Sequence, residues 1–381
     1  MKINTMTCTA ALASHLPSLL ARPYKASAAL YRSRRTVIPI RSRIASSLGL
    51  KDIASCARVC QDWNDSFTPP LYNYVILSNH GPSIESIERN KHLIQSLVIQ
   101  RSVYEKISPA PALEKLTLNV LATSSLTTLI LPHNPFEDEA QTLSEALKVN
   151  STLTALCITR NLIGDKGAHV LSEALKINST LTTLDLCDDS IKENGAQALS
   201  EALKINSTLT TLDLECNLIG PNGAQALSEA LKTNSTLTTL TISTNSIGDS
   251  GAQALSKALK INSTLTTLYL DENLIGDNGA HALSESLKTN STLTTLTISN
   301  NSVGDSGAQA LSKALKINST LTILRLDDNS IGLNGAQALS EALKINSTLT
   351  TLNLWGNLIG YNGARAISEA LRNNSTVSSN C

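Results

Sequence analysis

Aromatic side chains are scarce: Phe and Trp occur twice each and Tyr seven times, 3% of the 381 residues. A conventional globule of this length packs around more rings, so the core has to be built from Leu, Ile and Ala. Apolar runs of membrane-spanning length are also missing, which leaves no candidate spanning helix. The seven cysteines (Cys8, Cys56, Cys60, Cys157, Cys187, Cys216 and Cys381) are odd in number and share no paired spacing. Read as reduced thiols, they point to an intracellular chain, expected in the cytoplasm, with the nucleus and the mitochondrion as alternatives. Cys56 and Cys60 stand four apart like half a metal site, but no second pair completes it, so no metal is expected. The six histidines form no HExxH or triad spacing, and no Gly-rich phosphate loop follows a strand. With no carboxylate pair set apart as acid and base, the expectation is a non-enzyme without cofactor.

The net charge of zero hides an asymmetry. Residues 1–125 hold 15 basic and 7 acidic side chains, whereas residues 126–381 hold 16 and 24. Such an imbalance implies two segments with different jobs. The first 45 residues carry eight basic and no acidic side chains, and His15, Pro17 and Arg22 interrupt any apolar core of a secretory signal. Residues 1–36 are read as a disordered basic extension, with a mitochondrial presequence as the alternative.

What the chain has in abundance is self-similarity. Leu153, Leu181, Leu209, Leu237, Leu265, Leu293, Leu321 and Leu349 recur every 28 residues, a shorter first copy begins at Leu126, and Val377 opens a further one. A period in this range means a stacked array, because one unit cannot bury its own apolar face. In the unit Leu209 to Thr236, Leu209, Leu212 and Leu214 mark a short strand, and Ile219 and Gly220 a turn. Helix-start chemistry is read at Asn222, followed by Ala224, Leu227, Ala230 and Leu231 at helical spacing. Gly167, Gly195, Gly223, Gly251, Gly279, Gly307, Gly335 and Gly363 are expected just before each helix, where backbones approach closely. The blocks starting at Ser235 and Ser291 are nearly identical over 30 residues, as a duplicated two-repeat unit would be. Asn-Ser-Thr recurs in phase at Asn150, Asn178, Asn206, Asn234, Asn262, Asn290, Asn318, Asn346 and Asn374. Each is a legal glycosylation acceptor. Without a secretory signal, each reads instead as the joint between helix and next strand, with Asn in the left-handed conformation that ends a helix.

The leucine spacing, the Asn or Cys that follows it and the Gly-Ala pair resemble the ribonuclease-inhibitor (RNI-like) type of leucine-rich repeat over roughly residues 126–376. The resemblance implies an α/β solenoid, a horseshoe of 28-residue strand–helix units with a parallel sheet on the concave face. Asn161, Asn217, Asn245, Asn273, Asn301, Asn329 and Asn357 should point inward and satisfy turn backbone groups as a ladder. One copy has Asp189 at that place and Lys192 where the others have Gly, so a distorted turn is expected there. The framework is monotonous, and variation concentrates on the side chains expected in the hollow. Asp185, Asp188, Asp213, Glu215, Tyr269, Asp271, Glu272, Arg325, Asp327, Asp328 and Trp355 read as an acidic trough with aromatic anchors. Such a face suits a protein partner with a basic surface and has the wrong sign for nucleic acid.

Ahead of the array, residues 37–77 include "LGLKDIASCARVCQDW", which resembles the F-box, the helical module that docks on the Skp1 adaptor of cullin ubiquitin ligases. On that resemblance Ile44, Leu48, Leu50, Ile53, Val59 and Trp63 would form the adaptor-binding side; a helical cap on the first repeat is the alternative. Residues 78–125 read as irregular repeats leading into the array, and 377–381 as a tail. The whole chain resembles fungal proteins that join an F-box-like start to this repeat type, which implies a substrate receptor of an SCF-type ligase. The alternatives are a regulator of a small GTPase, since the GTPase activator of Ran uses similar repeats, and a scaffold or sensor array.

Overall fold

The computed structural model describes residues 74–77, 94–99, 125–133, 139–374 and 376–380. The F-box-like residues Ile44, Leu48, Leu50, Ile53, Val59 and Trp63 lie outside them. Among the described residues, twelve strands form one parallel sheet in strict chain order. They are β1 (Tyr74–Leu77), β2 (Ser96–Ile99), β3 (Thr128–Ile130), β4 (Ala155–Cys157), β5 (Thr183–Asp185), β6 (Thr211–Asp213), β7 (Thr239–Thr241), β8 (Thr267–Tyr269), β9 (Thr295–Thr297), β10 (Ile323–Arg325), β11 (Thr351–Asn353) and β12 (Ser378–Asn380). The first described strand thus lies inside the stretch expected to be F-box-like, and residues 378–380 of the expected tail add the last described strand. From β3 onward the described helices alternate with the strands: α1 (Glu139–Val149), α2 (Gly164–Leu175), α3 (Glu193–Leu203), α4 (Gly220–Leu231), α5 (Gly248–Leu259), α6 (Asp277–Leu287), α7 (Asp305–Leu315), α8 (Leu333–Leu343) and α9 (Gly360–Asn373). The chain is an α/β leucine-rich-repeat solenoid of roughly 28-residue units, as the period requires. Strands lie about 4.8 Å apart and packed helices about 8–10 Å, so stacking curves the array with its sheet on the inner side.

Each copy contributes the same plug to a continuous core. In the copy of β6 and α4, Leu209, Leu212, Leu214, Ile219, Ala224, Leu227, Ala230 and Leu231 are all buried. Alanine lets neighbouring helices approach, which is why so large an interior needs so few rings. Gly223 is not ahead of its helix but in the first turn of α4, which starts at Gly220 rather than near Asn222. A Cβ on Gly223 would sit 2.4 Å from Ile219 Cγ2 and 3.0 Å from Ala196 Cβ, so the expected close approach is present one turn later than expected.

Two asparagine ladders close the corners. At the strand-to-helix corner, Asn273 Nδ2 donates to Ile242 O (2.8 Å) and Asp271 O (3.1 Å). Its Oδ1 accepts from Asn245 N (3.0 Å) and Ile247 N (3.3 Å) of the preceding copy. This is the expected ladder, and Asn161, Asn217, Asn245, Asn301, Asn329 and Asn357 likewise donate to a carbonyl 30 or 31 positions earlier. At the opposite corner the Asn of Asn-Ser-Thr builds a second one. Asn178 Nδ2 donates to Leu147 O (2.8 Å) and Asn150 O (3.1 Å), and its Oδ1 accepts from Thr180 N (3.0 Å) and Leu181 N (2.8 Å). None of these asparagines has positive φ, so the expected left-handed cap is replaced by a side-chain clamp. Its amide nitrogen is committed inside the protein and is no acceptor for sugar in the folded chain.

The copy with Lys192 is not distorted in the way expected. Lys192 has φ −108°, alongside −102° at Gly276 and Gly304 and −96° at Gly332. Gly220, Gly248 and Gly360 have φ of 62°, 60° and 63° at the same place. What selects between the two geometries is the preceding copy. Asp165 Oδ1 accepts from Lys192 N (2.8 Å) and Gly195 N (2.8 Å), and Asp249, Asp277 and Asp305 do the same for Gly276, Gly304 and Gly332. Where Glu193, Pro221 or Leu333 stands instead, the next copy takes the left-handed turn, which favours Gly. A carboxylate in one repeat therefore caps the helix of the next, and Lys is tolerated at 192 because Asp165 holds that turn extended.

Candidate protein-binding face

The face of the sheet away from the helices carries the variable positions. Register puts Cys157, Asp185, Asp213, Thr241, Tyr269, Thr297, Arg325 and Asn353 in one row across β4 to β11. Asp185, Asp213, Glu215, Tyr269, Asp271 and Asp327 are half-buried, and Asp188, Glu272, Arg325, Asp328 and Trp355 are exposed. Three neighbouring positions on the same strands and turns are buried: Ser243, Thr297 and Ser299. They serve as tethers. Thr297 Oγ1 donates to Asp271 Oδ2 (2.7 Å), Ser299 N to Asp271 Oδ1 (2.7 Å) and Ser299 Oγ to Asp327 Oδ1 (2.8 Å). Asp271 and Asp327 are thus held by β9 and the turn after it rather than left to reach outward.

The carboxylates on β5 and β6 are arranged differently. Asp185 and Asp213 are register partners, and each folds back to accept the N–H two residues on, from Cys187 (3.0 Å) and Glu215 (2.9 Å). Burial pushes the Asp213 carboxyl up to about 6, helped by the charges of Asp185 and Glu215 and opposed by its bond from Glu215 N. Burial likewise raises Glu215, followed by the charges of Asp271, Glu272 and Asp185. Among the described residues, no Lys or Arg forms an ion pair with Asp185, Asp213 or Glu215. Arg160, which the sequence reading did not place on this face, pairs with Asp188 (3.1 Å), an exposed contact of small energetic value. Cys157 Sγ donates to Asp185 Oδ2 (3.2 Å), and burial together with that carboxylate pushes its thiol up to about 12. Burial and the surrounding carboxylates raise Cys187 to about 12 as well, so these thiols are poor nucleophiles at neutral pH.

Among the described residues, no cluster of three or more His, Cys, Asp or Glu could hold a metal ion, and no helix is long and apolar enough to cross a membrane. What the face offers is a row of short polar side chains, a knot of unneutralised carboxylates and two rings, Tyr269 and Trp355.

The Leucine Rich repeat family matches seven stretches: residues 149–172, 206–228, 233–256, 262–284, 289–312, 318–340 and 346–368. The chain thus carries leucine-rich repeats, with the protein-binding role such repeats indicate. The gap between the first two matches holds the copy with Asp189 and Lys192. Among solved structures, leiomodin-1 actin-binding site 2 is similar at 24% identity, covering 40% of this chain and 88% of its own, with a TM-score of 0.36. The tropomodulin C-terminal domain of Caenorhabditis elegans is similar at 16% identity, 40% and 93% coverage and a TM-score of 0.34. At these scores the likenesses carry no argument about partners. No curated protein matches the sequence.

Proposed function

We propose that the open face of the sheet binds a positively charged segment of a protein partner, with Asp185, Asp213 and Glu215 at the centre of contact. The supporting observation is the knot of half-buried carboxylates on and just after β5 and β6, where burial, with mutual repulsion adding to it, holds Asp213 and Glu215 above their ordinary values. A Lys or Arg side chain seated there relieves that repulsion and gains a desolvated ion pair. Tyr269, Arg325 and Trp355 lie further along the sheet, where aromatic and Arg contacts anchor interfaces. Binding a cation favours the ionised carboxylates, so affinity rises as pH increases through about 6. The test is fluorescence anisotropy with a labelled oligolysine. Expected are tighter binding at pH 7 than at pH 5 and loss of that difference in the Asp213→Asn/Glu215→Gln variant. Binding with the same pH dependence in the variant overturns the assignment.

The substrate-receptor version of this reading rests on the F-box resemblance of residues 37–77, with Ile44, Leu48, Leu50, Ile53, Val59 and Trp63 toward a Skp1-type adaptor. A pull-down with Skp1 decides it. Capture by the full chain that is lost in Ile53→Glu supports the receptor role, and no association sinks it while leaving the binding face untouched.

A further inference from the structure

The strand-to-helix ladder has one member that is not an amide. Asp189 takes the place of the ladder Asn, is 0% exposed, and its Oδ1 accepts from Asn161 N at 2.6 Å, as an Asn Oδ1 does elsewhere. Its Oδ2 is a buried polar atom without a hydrogen-bond partner. In the neighbouring copies the corresponding atom is the Nδ2 donor: Asn217 Nδ2 gives bonds to Leu186 O (2.9 Å), Leu214 O (3.0 Å) and Glu215 O (3.1 Å). By the same offsets, Oδ2 of Asp189 is directed at the carbonyls of Ile158, Leu186 and Cys187. A carboxylate oxygen among carbonyl oxygens is repulsive, whereas a carboxylic acid O–H there is a donor.

We propose that Asp189 is a proton-controlled joint: protonated, its Oδ2–H stands in for the missing amide and closes the ladder between the copies of β4 and β5; ionised, it loosens that junction. The surrounding groups agree. Burial pushes the carboxyl up to about 7; the N–H groups of Asn161, Ile163 and Leu162 pull the other way, and the charge of Asp185 adds to the rise. In the same turn Asp188 is engaged by Arg160, and Lys192 is exposed at the helix start. Because the folded carboxyl titrates above its unfolded value of about 3.9, its contribution is complete below that value and is lost as pH rises through the folded one. The joint lies directly behind Asp185 and Asp188, so loosening it disturbs one flank of the binding face.

The experiment is hydrogen exchange of the full chain, read by mass spectrometry between pH 5.5 and 8.5 and corrected for intrinsic rates. In the wild type, protection of residues 158–164 should fall with rising pH, by up to tenfold per unit between the unfolded value and the folded one, and level off above about 7. Residues 242–248, in the same turn of another copy, should not change. Asp189→Asn should abolish the dependence and leave protection high throughout. A wild type and Asp189→Asn with the same pH profile overturns the proposal. So does a carbon-13 titration that places the Asp189 carboxyl below 5, a readout that needs no variant.

Discussion

Replacing Asn273 by Ala removes one rung of the strand-to-helix ladder and tests whether the corners, rather than the leucines alone, hold the repeats in register. The side chain is fully buried and makes four bonds, two accepted and two donated. Ala leaves Asn245 N and Ile247 N in the interior with no acceptor from this side chain. Each orphaned buried N–H costs about 1–3 kcal/mol, so a loss of about 2–6 kcal/mol is expected. Against a total of about 5–15 kcal/mol for an ordinary domain, that is a large fraction. Urea unfolding followed by helical circular dichroism reads the shift in midpoint, and hydrogen exchange locates it to the junction between the copies of β7 and β8. The control is Gln225→Ala on the outer helix face, where Gln225 only bridges to Glu229 (2.8 Å); it should stay within about 0.5 kcal/mol. A loss below about 1 kcal/mol for Asn273→Ala, with unchanged slope, refutes the argument.

Two further outcomes follow from the packing. Asp277→Ala removes the acceptor of Gly304 N and Gly307 N (2.8 and 2.7 Å) and should cost about 1–2 kcal/mol in urea unfolding. Gly223→Ala puts a methyl 2.4 Å from Ile219 Cγ2 and should destabilise by about 1–3 kcal/mol through overpacking, although Ala ordinarily favours helix.

The period made most of the fold legible, because a residue that recurs 28 positions apart shares its environment with its copies. Leu209, Leu212 and Leu214 announced the strand and Asn217 the ladder for that reason. What escaped is what two copies do jointly. The Asn of Asn-Ser-Thr reads locally as a helix terminator, but its side chain spans 28 and 31 residues to the preceding copy. Asp165, Asp249, Asp277 and Asp305 look like first-turn acids of their own helices, yet they cap the next ones. That relation also explains Lys192, which looked anomalous against a column of glycines. On the binding face the acidic character was legible but its accessibility was not. Thr297 and Ser299 alternate like exposed residues, yet they are drawn inward by Asp271 and Asp327, which concentrates the unneutralised charge at Asp213 and Glu215. Arg160 was missed because its own copy says nothing of Asp188, its partner 28 residues on.

The central claim is that partners meet the sheet and not the helices, through positive charge. Site-specific photocrosslinking tests it most directly, with benzoylphenylalanine placed in the full chain at Thr241 on β7 or at Gln225 on α4, and the crosslinked peptides sequenced by mass spectrometry. The account predicts adducts from position 241 whose partner peptides are rich in Lys and Arg, and none from position 225. Adducts from the helix side alone, or partner peptides from the sheet side without basic residues, would contradict it.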